Sequence, residues 1–205
     1  MTAPGPCPLC GQQLYGWIAL TDRLGDLGER IFDRCENCGV ALERGRDIDL
    51  VVEWEAICGP VGDGSRLIAI PDRHSLQAAI GIGGWAAIGL SPGHLLLTQA
   101  SLELLARHNG HRLERVTWPV WGRNQGWMWQ TLLNGLTFHP NFAREVRGGR
   151  LRAANARSRF AYAVDTLVTV LGAPLVALVS FPLEAVAALA RRGGELRALA
   201  RAGSA

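Results

Sequence analysis

Lysine is absent from the 205 residues, so all 21 basic side chains are arginine. This reads as the imprint of a GC-rich genome and not as an arginine-specific role. A strong charge imbalance is also missing. The formal net charge is +3, which argues against a strongly electrostatic nucleic-acid binder. The opening residues 1–6 carry no charged n-region and no apolar core, so no secretory signal is expected. A reducing cytoplasm follows as the default compartment, where paired cysteines read as metal ligands before disulfides. No internal repeat is evident. Disorder is excluded as well, because hydrophobic residues make up 48% of the chain and charged ones 19%.

What is present begins with five cysteines. Cys7-Pro8-Leu9-Cys10-Gly11 and Cys35-Glu36-Asn37-Cys38-Gly39 are two C-x-x-C-G knuckles separated by 24 residues. Two residues between ligands let each knuckle offer two thiolates to one ion, and zinc favours four such ligands in a tetrahedron. Glycine after each pair tolerates the positive φ that curls the backbone around the sulfurs. We expect Cys7, Cys10, Cys35 and Cys38 to hold one structural zinc with no open coordination position. The competing readings are two disulfides or redox C-x-x-C motifs. The ribbon body is expected to contain strands near Gln13–Ile18 and Arg30–Asp33. Its Arg23, Arg30 and Arg34 are balanced by Asp22, Asp26, Glu29, Asp33 and Glu36, so a nucleic-acid partner is not expected. Cys58 is left over and reads as a small buried residue.

Downstream, Asp47–Trp54 reads as a buried strand, Gly62–Gly64 as a turn, and Arg66–Ile70 as a strand stopped by Pro71. His74–Ile80 has helical character broken by Gly81–Gly84. That glycine run lacks the spacing of a dinucleotide loop. Thr98 is a good N-cap for a helix over Gln99–His108, with Gly110 as its stop. Arg112–Trp118 reads as a strand, Gln125–Leu136 as a helix, and Glu195–Ala200 as a last strand. Strands alternating with helices indicate an α/β arrangement. We divide the chain into a ribbon over 1–44 and an α/β domain over 45–205, with an apolar helical insertion over about 160–190.

His94, just after Ser91-Pro92-Gly93, is the one candidate for a general base or substrate contact. The alternative is a turn cap or sheet-packing histidine. His74, His108, His111 and His139 show no ligand spacing. Four of the seven tryptophans fall within Trp118–Trp129, and six arginines lie within Arg144–Arg159. Thr166–Leu183 then runs eighteen residues without a charge, the lower limit for a bilayer span. Asp165, Gly172, Pro174, Pro182 and Glu184 bound or interrupt it, so a helical hairpin is expected. It either packs on the domain or at a dimer contact, or dips into a membrane face over 118–190.

CPLCG and CENCG resemble the zinc-ribbon opening of a class of bacterial S-adenosylmethionine-dependent methyltransferases. DLVVEWEAI at 49–57 looks like the family's fourth strand, and GDGSRLIAIPDRHSL at 62–76 like its fifth. SPGHLLLTQASLELLARHNGHRLERV at 91–116 is similar to the segment carrying a histidine, a capped helix and the sixth strand. NQGWMWQTLLNGL at 124–136 and GGELRALAR at 193–201 fit the later helix and seventh strand. The resemblance implies a truncated Rossmann-like sheet of about four strands. Only residues 39–46 separate Cys38 from Asp47, too few for a βαβ unit of about thirty residues. The cofactor-binding front half is therefore missing, Glu55 and Cys58 stand where the family often has His and Glu, and no cofactor-binding residue is assigned. S-adenosylmethionine is not expected on this chain alone. The implied function is that of a degenerate, non-catalytic partner, either a homodimer or bound to a complete methyltransferase. The alternatives are an enzyme whose cofactor site another chain completes, or a zinc-ribbon adaptor peripheral on the inner membrane face. Loss of the front half would leave the 47–54 strand as an edge needing cover.

Overall fold

The computed structural model describes residues 5–21, 24, 29–61, 65–90, 94–154 and 156–203. The expected turn at 62–64, the Ser91–Gly93 lead-in to His94, and Asp22, Arg23 and Asp26 lie outside them. Two four-stranded sheets organise the chain. The first has the order β1 (Leu14–Thr21), β2 (Glu29–Cys35), β3 (Ala41–Glu43), β6 (Leu95–Leu96), and the second β4 (Cys58–Pro60), β5 (Arg66–Pro71), β8 (Glu195–Ala202), β7 (His111–Thr117).

In the first sheet, β1 (Leu14–Thr21) and β2 (Glu29–Cys35) form an antiparallel hairpin between the two knuckles. The three-residue β3 (Ala41–Glu43) pairs with β2 just after the second knuckle. Its other edge is closed by β6 (Leu95–Leu96), drawn from far downstream. The ribbon sheet is thus completed by a strand from the α/β part.

The segment expected as a strand at Asp47–Trp54 is instead α1 (Leu50–Ile57). Two apolar valines suggested a strand, but Asp49 accepts hydrogen bonds from the amides of Val51 and Val52, an N-cap. Leu50, Glu53, Trp54 and Ile57 then form the buried face at helical spacing, leaving Val51 and Val52 exposed. The exposed apolar edge strand inferred from the sequence therefore does not exist. The sheet ends on that side with β4 (Cys58–Pro60), only three residues long. Its other edge is β7 (His111–Thr117), whose Arg112, Glu114 and Arg115 discourage edge-to-edge pairing.

The central strands are β5 (Arg66–Pro71) and β8 (Glu195–Ala202), paired antiparallel. Since β8 is also antiparallel to β7, β5 and β7 run parallel with β8 inserted between them. Their crossover carries α2 (Leu76–Gly81), two short 3-10 turns at Ile82–Gly84 and Ala86–Leu90, β6, and α3 (Gln99–His108). Thr98 caps α3 as expected, in a reciprocal box with Ser101. Every sheet pairing among the named strands is antiparallel, so a Rossmann-like parallel sheet is not what the described residues form.

The last layer is helical: α4 (Arg123–Asn134), α5 (Phe142–Arg147) and α6 (Arg159–Leu189). The expected hairpin is a single 31-residue helix that continues through Pro174 and Pro182. A proline interior to a helix leaves one carbonyl, four residues earlier, without its intrahelical donor. Both prolines and both affected residues, Val170 and Leu178, sit on the outward face, so the helix persists without a turn. Trp129 on α4 donates its indole N–H to the Ala173 carbonyl at 2.9 Å, fastening the two helices beside Pro174. The chain from Asn124 to Phe142 runs antiparallel along α6, touching Glu184 at one end, Ala173 in the middle and Asp165 and Tyr162 at the other.

The main core joins Cys7, Cys35 and Cys38 of the ribbon to Leu50, Trp54, Ile57, Ile68, Ile70, Leu102, Leu105 and Leu196. Ribbon and second sheet therefore share one apolar interior.

Candidate metal centre and its surroundings

The two knuckles repeat one backbone pattern. In each, the amide of the first cysteine donates to a carbonyl five residues on, Cys7 to Gln12 at 2.7 Å and Cys35 to Val40 at 2.9 Å. In each, the glycine amide returns to the first cysteine's carbonyl, Gly11 to Cys7 at 2.8 Å and Gly39 to Cys35 at 3.1 Å. Gly11 and Gly39 take φ of 74° and 78°, which a side chain would strain.

This folding brings the four sulfurs within 4.8 Å of one another. Cys7 and Cys38 Sγ are 3.7 Å apart, and Cys10 and Cys35 Sγ 3.4 Å. These separations exceed a disulfide bond of about 2.05 Å and approach the roughly 3.8 Å edge of a tetrahedron with 2.3 Å metal–sulfur bonds. All five cysteines are free thiols. Burial pushes the Cys7 and Cys38 thiols up. Burial acts the same way on Cys10, but the Gln12 amide, Asn37 and the neighbouring thiols outweigh it and bring that thiol down to about 7. Four thiolates this close in a largely buried pocket require a cation among them, and a bound metal reverses the local preference for the protonated form. The donor set fits one tetrahedral metal ion. No histidine joins it, and Cys58 is elsewhere, its thiol pushed up to about 12 by burial.

The second knuckle is docked against the α/β part. Thr98 Oγ1 donates to the Cys38 carbonyl at 3.2 Å, and Arg73 Nε donates to the Gly39 carbonyl. Beside it lies an open cleft of about 640 Å³ whose lining includes Asn37, Asp72, His74, Glu103, Trp118 and Arg191. Asp72 is 2% exposed, and burial raises its carboxyl against the opposing pull of hydrogen bonds from Trp118 Nε1 and the His74 amide, both 2.8 Å.

His94 is placed on the other side of this junction. Its backbone amide donates to Glu53, at 2.9 and 3.1 Å to the two carboxylate oxygens. Its Nδ1 lies 3.5 Å from Glu43, but Arg30 already grips Glu43 with two bonds of 2.9 and 2.8 Å and holds that carboxyl down. The His94 side chain is 44% exposed.

In the sequence Asp165 and Glu184 read only as bounds of the apolar run; in the structure both are buried carboxylates on α6. Asp165, fully buried, accepts from the amides of Phe138 (2.7 Å) and His139 (2.9 Å) and lies 2.7 Å from His139 Nδ1. Glu184, also fully buried, accepts from the Gly194 amide (2.7 Å), Gln77 Nε2 (2.7 Å) and Asn124 Nδ2 (2.8 Å). The signal was available: these are the only charges in the helix after Arg159, and both pin its inner face.

No protein-family model, curated protein or solved structure matches this chain.

Proposed function

We propose that this chain is a zinc-stapled binding protein that seats on a membrane surface through the outward face of α6. The polarity of that helix carries the reading. Its buried residues are Ala161, Asp165, Ser180, Glu184, Ala187 and Ala188. Its exposed ones include Phe160, Leu167, Leu171, Leu175, Leu178 and Leu189, each at least 58% exposed. A helix packed on a water-soluble domain has the opposite polarity. Only 6% of its most apolar 18-residue stretch is buried. An apolar surface of this extent exceeds what a soluble monomer ordinarily leaves to water.

An in-plane seat fits better than a span. The layer from Asn124 to Phe142 covers the rear of α6 along its length, and a span would draw Gln130, Thr131 and Asn134, between Trp129 beside Ala173 and Phe138 beside Asp165, into hydrocarbon. Lipid also fits better than a second copy of the chain. Arginines flank both ends, Arg157 and Arg159 before and Arg191 and Arg192 after, while the helix's acids are turned inward. Pairing two such faces, parallel or antiparallel, sets arginine against arginine. Anionic headgroups reward the same charges. Four cysteine sulfurs in a closed tetrahedral set suit zinc, as a folding staple without an open position.

Vesicle flotation tests the reading. Wild-type protein should float with phosphatidylcholine vesicles, and Leu171→Glu/Leu178→Glu should lose at least about a hundredfold in partitioning with unchanged melting, since each buried leucine contributes about 1.5–3 kcal/mol. Wild-type protein that stays in the soluble fraction would overturn it.

One observation favours a second reading, a relative of methyltransferases that has kept its carboxyl-terminal half. The parallel pair β5 and β7, joined by a helical crossover and split by the last strand, is the kind of α/β remnant this reading needs. Calorimetry with S-adenosylmethionine addresses it, and a saturable heat on the isolated chain would contradict loss of the cofactor half.

A further inference from the structure

We infer that the cleft between Trp17, Arg73, His74 and Arg192 is a phosphate-binding site, and that it takes the phosphate of an anionic lipid headgroup. The cleft has a volume of about 210 Å³, and its remaining lining is Ser75, Ala78, Ala79 and Ile82. It thus contains two guanidinium groups and an imidazole, and no carboxylate.

Several arginines are matched to acids, among them Arg30 to Glu43, Arg44 to Asp33, Arg66 to Glu55, and Arg123 and Arg197 to Glu195. Among the described residues, Arg73 and Arg192 form no ion pair, and the His74 ring makes no hydrogen bond. Asp72, next in sequence to Arg73, attracts both Arg73 and His74 through space, but its oxygens are bonded to Trp118 and the His74 amide and make no ion pair with the Arg73 guanidinium. Arg73 is also preorganised. Its Nε is held by the Gly39 carbonyl and its guanidinium lies 4.9 Å over the Trp17 ring, so little side-chain entropy remains to be lost on binding. A planar guanidinium beside a second cation is a common recognition element for phosphate oxygens.

The position supplies the source. Arg192 lies three residues beyond Leu189, the last residue of α6, and its amide closes the helix end on the Ala187 carbonyl at 2.8 Å. Leu189 is 76% exposed and Ile82, at the cleft, 62%. A lipid whose chains lie against α6 would present its headgroup at this height. The lipid source rests on the membrane seat proposed above, whereas the phosphate site does not.

Two measurements on the zinc-loaded full chain test the inference. Inorganic phosphate is titrated while the His74 ring resonances are followed by NMR. A saturable shift is expected, weakened about fivefold by Arg192→Ala. Flotation then compares phosphatidylcholine vesicles with vesicles containing phosphatidic acid. Phosphatidic acid should strengthen binding, Arg192→Ala should remove about fivefold of that gain, and binding to neutral vesicles should be unchanged. Arg159→Ala, at the far end of α6, should leave the phosphate titration untouched. Absence of a saturable His74 shift, or a shift insensitive to Arg192→Ala, overturns the site. A normal titration with no flotation on either vesicle keeps the site, assigns it to a soluble phosphate and overturns the lipid source together with the membrane seat.

Discussion

The ribbon and α6 solve opposite problems. At the ribbon, the interior is made by the chain itself: Cys7, Cys35 and Cys38 are at most 4% exposed and share a core with Trp54 and Leu102. Along α6 the chain buries small residues and two carboxylates and turns its leucines, valines and phenylalanines outward. On the reading proposed above, the ribbon is completed by a metal and α6 by an apolar medium, so that both regions borrow stability from outside the polypeptide, one from an ion and the other from a surface. The experiments that separate them remove each support in turn.

The largest effect is expected at the ribbon. Cys35→Ser, or a zinc chelator, should cost on the order of 10 kcal/mol, because binding of a structural zinc is folding free energy. The three cysteines sit in the same cluster as Ile68, Leu105 and Leu196, so the loss should spread to the second sheet. The near-ultraviolet circular dichroism lost on replacing Trp54, 1% exposed on α1, by phenylalanine identifies its share of the signal, and loss of that share on chelation reports the spread. A chelated protein that keeps this signal and a cooperative melt would show the ribbon to be an appendage.

A smaller but still large effect is expected at the amino-terminal pin of α6. Asp165→Ala leaves two amides and the His139 ring without their acceptor in a site closed to water. Breaking a buried charged network by removing one partner costs about 3–5 kcal/mol. Denaturant titration should show that loss, and Asp165→Asn, which keeps one acceptor, should recover part of it. A loss under about 1 kcal/mol would mean that tertiary packing, not this carboxylate, sets the helix on its layer.

The contrast also explains what the sequence disclosed. The knuckles were legible because metal ligation fixes residue type and spacing together, and α3 because Thr98 and Gly110 bracket an amphipathic run. The segment at 47–54 misled because valine favours strands on average, while the decisive interaction was a single capping bond set from Asp49. At α6, the prolines read as turn signals because local rules assume that a freed carbonyl must find water or a turn. The sheet order was not legible at all: that β6 closes the ribbon and β8 enters between β5 and β7 depends on pairings far apart in sequence. Asp72, Arg73 and His74 lie in a short loop after Pro71, where no periodicity marks a site.

The smallest effect should be a gain in stability. Burial raises the Glu184 carboxyl, against hydrogen bonds from the Gly194 amide, Gln77 and Asn124, and Glu195 on β8 adds to the rise. The folded state therefore holds this proton to a higher pH than the unfolded chain, whose glutamates titrate near about 4.3. Between those two values the native state binds more protons, so stability falls as pH rises through the window. Glu184→Gln removes that slope. The Gly194 and Asn124 donors keep an oxygen, and the new Nε2 group occupies the position of a protonated carboxyl facing Gln77 Nε2, which stays bonded to the Asn124 carbonyl at 2.7 Å. Relative to wild type, the variant should gain in melting temperature as the pH is raised from 4 to 8. A variant that is less stable at pH 8 by more than it is at pH 4 would show that the ionised carboxylate is the native form. The carboxyl-terminal end of α6 would then be pinned by charge, and its buried face would be more polar than its outward polarity already implies.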